Sequence, residues 1–269
     1  MPAIQLTHLR QKTAVLSEVI DNPDDTVQLI HGILDAYANR TQRPGQSGEP
    51  PPLIEAYFVP KPVLRQIQIE LKPCAASNPK AVLELCDAFW DEGYLEFQIL
   101  AAHLIGYIHV DDPSLILDRI ITWSQSTDDT QVQEALFNEG CQMLVAKNSE
   151  YLITRIGQLI IHGKGSSKTL GLQALLPIVR APSYENFPAL LNLLGPQVRE
   201  ATPETRPYVL SIIIVLARRT PRETAYFLRQ NMAFEDNTNT AWFIRHSKNE
   251  FSPELKRGLE DEIRTHRST

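Results

Sequence analysis

The sequence has few cysteines, few aromatic residues and no long apolar run. Only three of its 269 residues are cysteines, Cys74, Cys86 and Cys141, and no two of them form a CxxC pair. An odd number without that spacing argues against both a disulfide framework and a zinc site. No stretch reaches about 18 uninterrupted apolar residues, and the first residues lack the apolar run of a signal peptide. We therefore expect a cytoplasmic protein with no membrane span.

Signals for a cofactor or a metal are equally scarce. The seven histidines include no pair at the spacing that places two metal ligands on one helix face. The segment GKGSSKT, residues 163–169, lacks the GxxxxGK[ST] spacing of a nucleotide-binding loop and is more typical of a helix ending in glycine. We expect no cofactor and no metal, although Lys164, Lys168 and the helix start that follows could hold a backbone phosphate.

Charge is divided unevenly along the chain. Residues 1–150 hold 10 Lys and Arg against 21 Asp and Glu, a balance of −11, whereas residues 151–269 hold 16 against 11, a balance of +5. A basic half can bind a polyanion even when the total charge is negative. The C-terminal half could therefore bind a polyanion such as DNA, and the acidic N-terminal half could contact a protein partner.

The apolar residues recur at steps of three and four, as in the stripe of Val82, Leu85, Cys86 and Phe89, and strand signals are almost absent. Similar helix starts recur near positions 79, 113, 149, 182, 221 and 253. A period near 35 residues is typical of stacked helix pairs, because one pair cannot bury its apolar face alone. The sequence predicts an all-α, HEAT-like helical-repeat solenoid of about six or seven antiparallel pairs.

One segment interrupts this pattern. TQRPGQSGEPPPL, residues 41–53, contains four prolines and two glycines, which favour a loop or an extended linker. We expect an N-terminal helix pair over 1–40, a linker over 41–54 and the repeat array over 55–269. The linker is either a surface crossover or a proline segment that binds a partner.

Four arginines surround one predicted helix boundary, in SIIIVLARRTPRETAYFLRQ, residues 211–230. Thr220 and Pro221 are typical of a helix start, and Thr220 with Glu223 predicts a capping box. The candidate cations of the C-terminal half would form a basic strip along a concave surface, at Arg180, Arg218, Arg219, Arg222, Arg229, Arg245 and Lys248. The alternative is that Arg222 and Arg229 pair with nearby acids and only solvate a surface. Trp242 either stacks on a base beside Arg245 and Lys248, or packs into the last repeat.

Two segments resemble a known family. AYFVPKPVLRQIQIEL, residues 56–71, and AFWDEGYLEFQILAAHLIGYI, residues 88–108, are similar to the opening signature of the DNA alkylation repair glycosylases, with matches at Pro62, Arg65, Trp90 and Glu96. LARRTPRETAYFL is similar to a late repeat of that family. The resemblance implies a HEAT-like fold that binds DNA and an activity that excises alkylated purines.

The chemical positions depart from that pattern. The family carries a tryptophan followed by a catalytic aspartate, but the corresponding stretch, residues 126–140, has no tryptophan. Asp128 and Asp129 precede the matching place at Gln131 and are more typical of a helix cap. Leu172 or Gln173 stands where the family has an arginine, and aliphatic residues 212–214 replace a later tryptophan. We therefore predict a non-catalytic repeat protein that binds nucleic acid or a protein partner. The alternatives are a glycosylase with a relocated carboxylate at Asp128 or Asp129, and a pure protein scaffold.

Overall fold

A computed structural model describes residues 5–39, 51–163, 165–234 and 237–266, and all the regular secondary structure in these ranges is helical. The predicted all-α class is confirmed. No helix within the described ranges is long and apolar enough to cross a membrane. The chain divides into two compact units, unit 1 over Met1–Asn148 and unit 2 over Ser149–Thr269.

Unit 1 contains eight α-helices in its described residues. They are α1 Leu6–Thr13, α2 Pro23–Tyr37, α3 Lys61–Ser77, α4 Pro79–Asp91, α5 Leu95–Ile105, α6 Ser114–Ser126, α7 Thr130–Ala135 and α8 Gln142–Lys147. A 3-10 helix, Ala14–Glu18, follows α1, and a π-helical turn, Leu136–Gly140, connects α7 to α8. Helices α1 and α2 lie in the predicted N-terminal segment, and they pack on α3 and α4 respectively. Residues 41–50 of the predicted linker lie outside the described residues.

Helix α4 shows how the sequence sets these boundaries. The Asn78 side chain accepts a hydrogen bond from the Ala81 N–H at 3.3 Å, and Pro79 takes the first helical position, where no N–H is needed. The predicted stripe of Val82, Leu85, Cys86 and Phe89 is buried. Burial raises the pKa of the Cys86 thiol, so this cysteine acts as an apolar core residue.

An extended segment, residues 51–60, crosses unit 1 without a strand partner, and we call it the strap. Its Leu53 N–H donates to Asp129 at 2.9 Å, and its Tyr57 N–H donates to Glu96 at 3.0 Å. The Leu95 N–H donates to the Glu55 carbonyl at 2.8 Å. Backbone groups that are removed from water need such partners. Two carboxylates, each only 3% exposed, therefore accept hydrogen bonds from the strap backbone, as the carbonyls of a neighbouring strand would in a sheet.

A histidine fastens α2 to the strap and to the end of α4. His31 Nε2 lies 2.8 Å from Glu92 Oε2, and His31 Nδ1 lies 2.6 Å from the Tyr57 hydroxyl. Because a carboxylate only accepts, Nε2–H donates to Glu92, and the Nδ1 of a neutral ring accepts from Tyr57. Burial and the nearby Tyr94 and acidic groups raise the pKa of Tyr57, which keeps its hydroxyl protonated as a donor.

The π-helical turn packs directly on the end of α5. A Cβ added at Gly106 would overlap the Glu139 carbonyl oxygen and lie 2.8 Å from its carbon. The φ of Gly106 is −68°, so glycine is required there for the close approach and not for its backbone angle. His103, on α5, adds a hydrogen bond of 2.7 Å to the Glu139 carboxylate. Two contacts from α5 therefore hold Glu139 of this expanded turn in place.

Unit 2 contains seven α-helices in its described residues. They are α9 Ser149–His162, α10 Ser166–Arg180, α11 Phe187–Arg199, α12 Arg206–Arg219, α13 Pro221–Met232, α14 Thr238–Ser247 and α15 Pro253–Thr265. A 3-10 helix, Lys248–Glu250, follows α14. Helices α10, α12 and α14 pack side by side in one layer, and α11, α13 and α15 pack in another.

Two sequence predictions fail in unit 2. The helix expected to begin near 182 begins at Phe187, because the Asn186 side chain caps it by accepting from the Ala189 N–H. The capping box at Thr220 and Glu223 is wrong: the Thr220 side chain caps no N–H of α13, and its hydroxyl instead lies 3.3 Å from the Leu216 carbonyl of α12. Helix α13 still begins at Pro221 as predicted. The solenoid arrangement of all the pairs stays a prediction.

Candidate nucleic-acid interface

Helices α10, α12 and α14 run parallel, so their C-terminal ends lie at one edge of unit 2. Arg219, the last residue of α12, reaches carbonyls at the end of α10. At the other edge Arg206, the first residue of α12, donates to Asn239 at the start of α14 at 2.6 Å. We define the C-terminal rim as the cations on the last turns of these three helices and just beyond them: Arg180, Arg218, Arg219, Arg245 and Lys248.

Two cations of the C-terminal rim are paired with acids. Arg218 Nε lies 2.7 Å from Glu250, and Lys248 Nζ lies 2.8 Å from Glu260. The hydrogen bonds from these cations lower the pKa of each glutamate. Arg180 and Arg245 are exposed, and neither forms an ion pair with another described residue. They are therefore the two rim arginines open to an anion.

Arg219 has a structural role, because all its described hydrogen bonds go to backbone carbonyls at and after the end of α10. Its guanidinium donates to the carbonyls of Val179 and Ala181 at 2.5 and 2.8 Å, and to those of Pro182 and Tyr184 at 3.3 and 3.0 Å. These acceptors include carbonyls that the end of an α-helix leaves without a partner. Arg219 therefore caps the end of the neighbouring helix α10.

The remaining predicted cations lie on other elements than the last turns of α10, α12 and α14. Arg222 is exposed on the first turn of α13, and Arg229 lies on the same helix against α15, with its guanidinium over Gly258. Both belong to the layer of α11, α13 and α15. Lys168 is half-buried in the first turn of α10, at the opposite end from Arg180. Lys164 lies outside the described residues.

Trp242 lies half-buried on α14, and two other side chains contact its ring. The His246 ring stacks on it with centroids 3.9 Å apart at 24°, and the Arg206 guanidinium lies 5.3 Å from its centroid. Sequence analysis found Trp242 and Arg245 but missed Arg206 and His246. The signal for His246 was its spacing of four residues after Trp242, which places both on one helix face.

The two candidate carboxylates differ in their surroundings. Asp129 Oδ1 accepts from the Gln131 and Val132 N–H groups at 2.9 and 3.2 Å, and its Oδ2 accepts from Leu53. It is the N-cap of α7 and an anchor of the strap. Asp128 is exposed. In the part of the chain that the structure describes, no three His, Cys, Asp or Glu side chains converge as a metal site would require.

These observations define an all-α protein whose C-terminal unit carries exposed arginines along one edge. A family model described as DNA alkylation repair enzyme matches residues 52–249. The chain belongs to this family. No curated protein and no solved structure gives a significant match.

Proposed function

We propose that this protein binds DNA at the C-terminal rim of unit 2 and does not excise a base. The observation that carries the proposal is the pair of exposed arginines, Arg180 and Arg245, at the ends of parallel helices and without an acidic partner among the described residues. Family membership supports DNA as the polyanion.

The chemistry of the rim favours a phosphate ligand. A guanidinium offers several N–H donors in one plane, which suits the oxygens of a phosphate. Cations at helix C-termini also offset the helix dipole, but that interaction contributes only about 0.3–1 kcal/mol at an exposed site. Arg218 would join the interface by exchanging Glu250 for a phosphate, because an exposed ion pair of this kind is worth about 0–1 kcal/mol.

The absence of base excision is inferred from the state of Asp129. A carboxylate that stabilises a cationic sugar must face the substrate with an available oxygen. Both oxygens of Asp129 already accept backbone N–H groups, and the residue is 3% exposed. Asp128 is exposed, and no hydrogen bond to another described side chain orients it. These contacts favour a binding protein over a glycosylase with a relocated carboxylate.

Fluorescence anisotropy of a labelled DNA duplex tests the binding proposal. The double variant Arg180→Glu, Arg245→Glu should weaken binding strongly and should lower the slope of log affinity against log salt by about one to two. The control Arg10→Glu, Arg257→Glu makes the same change in net charge at exposed arginines on α1 and α15. Equal weakening by both double variants would show that the loss of DNA affinity comes from net charge alone. It would refute DNA binding at the C-terminal rim.

Absence of DNA binding at low salt would overturn the proposal and favour a protein partner at the acidic unit 1. A base-release assay on duplex DNA carrying an alkylated purine tests the second part of the proposal, that the protein does not excise a base. We expect intact DNA after long incubation. Release of the base that is lost in Asp128→Asn would instead establish the glycosylase.

A further inference from the structure

From the geometry around Trp242 we infer that His246, and not Trp242, is the stacking surface for an unpaired DNA base. This inference rests on the proposed function and narrows its ligand to DNA that presents unpaired bases. It follows from the contacts that Trp242 and His246 make with each other and with Arg206.

Two side chains already contact the Trp242 ring. Arg206 reaches it from the start of α14, where its guanidinium also donates to Asn239, three residues before Trp242. His246 stacks on it from four residues further along, at 3.9 Å between centroids. A base that stacked on the face of Trp242 held by His246 would have to displace that ring.

His246 has the properties that a stacking surface needs. It is exposed, and its Nδ1 lies 2.7 Å from the Trp242 carbonyl oxygen. Because a carbonyl only accepts, Nδ1 carries the proton and donates. The hydrogen bond and the stack on Trp242 fix the orientation of the ring before any ligand arrives, so little rotamer freedom is lost on binding. The ring face away from Trp242 is left for a base.

The neighbouring cation supplies the rest of the site. Arg245 precedes His246 on the last turn of α14, and it is exposed. An aromatic surface beside a backbone-binding cation is the usual arrangement for binding single strands, and histidine is among the side chains on which unpaired bases stack. In a duplex the bases are already stacked on one another. The site is therefore expected to favour an unpaired base over a paired one.

The test compares a fluorescein-labelled dT 20-mer with a blunt duplex of the same length by anisotropy. His246→Ala should weaken binding of the dT oligonucleotide by about fivefold or more, and His246→Phe should restore it to within about twofold. Binding to the duplex should change by less than about twofold in both variants. His162→Ala is the matched control, because His162 is an exposed histidine that also ends a helix of unit 2.

Three results would overturn the inference: an unchanged affinity of His246→Ala for dT, an equal loss in His246→Phe, or an equal loss on the duplex. The Arg180→Glu, Arg245→Glu variant distinguishes failure of the stacking inference from failure of the proposed DNA binding. If that variant weakens DNA binding while His246→Ala does not, only the stacking surface is wrong. If neither oligonucleotide binds the native protein, the proposed function is wrong as well.

Discussion

Replacing Asp129 by alanine tests whether this carboxylate is a structural group. The change removes the cap of α7, which costs about 0.5–2 kcal/mol. It also leaves the partly buried Leu53 N–H without its acceptor, which costs about 1–3 kcal/mol. Together they predict a loss of about 2–4 kcal/mol in the free energy of unfolding of unit 1. For a unit of this size that is a fall in Tm on the order of 10 °C.

Asp129→Asn separates the two contributions. Its side-chain oxygen can still accept from the Gln131 and Val132 N–H groups, but its amide nitrogen would face the Leu53 N–H, donor against donor. We expect Asp129→Asn to be less stable than the native protein and more stable than Asp129→Ala, with faster proteolysis at the strap in both variants. Thermal unfolding followed by circular dichroism gives the Tm of the three proteins and so tests this order.

Asp128→Ala is the control for Asp129, because Asp128 is adjacent, acidic and exposed. Surface changes of this kind alter stability by less than about 0.5 kcal/mol. A Tm of Asp129→Ala equal to that of the native protein would refute the structural role, and so would an equal fall in Asp128→Ala.

Three further predictions concern stability. Gly106→Ala should cost about 1–3 kcal/mol or more, because its Cβ meets backbone of the π-helical turn; urea unfolding measures this loss, and Gly32→Ala, whose Cβ would meet no atom within 4 Å, should show none of it. His31→Phe should cost about 1–3 kcal/mol by leaving Tyr57 and Glu92 unpaired, and an unchanged urea midpoint would show that the contact is not stabilising. Burial raises the pKa of Cys141 to about 12 from 9.0, so the unfolded chain loses this proton first and stability should fall as pH rises from about 9 towards 12. Cys141→Ala should make that fall shallower by at most about 1.4 kcal/mol per pH unit, and an identical pH dependence would contradict the burial effect.

The sequence predicted the helical class and several helix starts because these depend on local signals. Asn78 with Pro79 places a side-chain acceptor and a missing N–H at adjacent positions, and the stripe after them fixes the buried face. The start of α11 was misplaced because Pro182 lies in a turn and the capping residue is Asn186. The family resemblance drawn from the quoted segments agrees with the matched range.

The contacts of the candidate site were harder to predict because they join residues far apart in sequence. Arg219 and its acceptors at the end of α10 are separated by 35 to 40 positions, so no local pattern connects them. Asp129 reaches Leu53 across 76 positions. The sequence placed Arg218, Arg219, Arg222 and Arg229 in one cluster. In the structure Arg218 contacts Glu250, Arg219 contacts the end of α10, and Arg229 lies at Gly258 of α15.

The position of Arg219 has a consequence for how unit 2 unfolds. Because this residue of α12 completes the end of α10, neither helix reaches its full stability until both are folded and in contact. In repeat proteins the interaction energy between neighbouring repeats links the unfolding of one repeat to that of the next. Hydrogen exchange in α10 and α12 should therefore proceed through a single shared opening, and in Arg219→Ala the two helices should exchange independently.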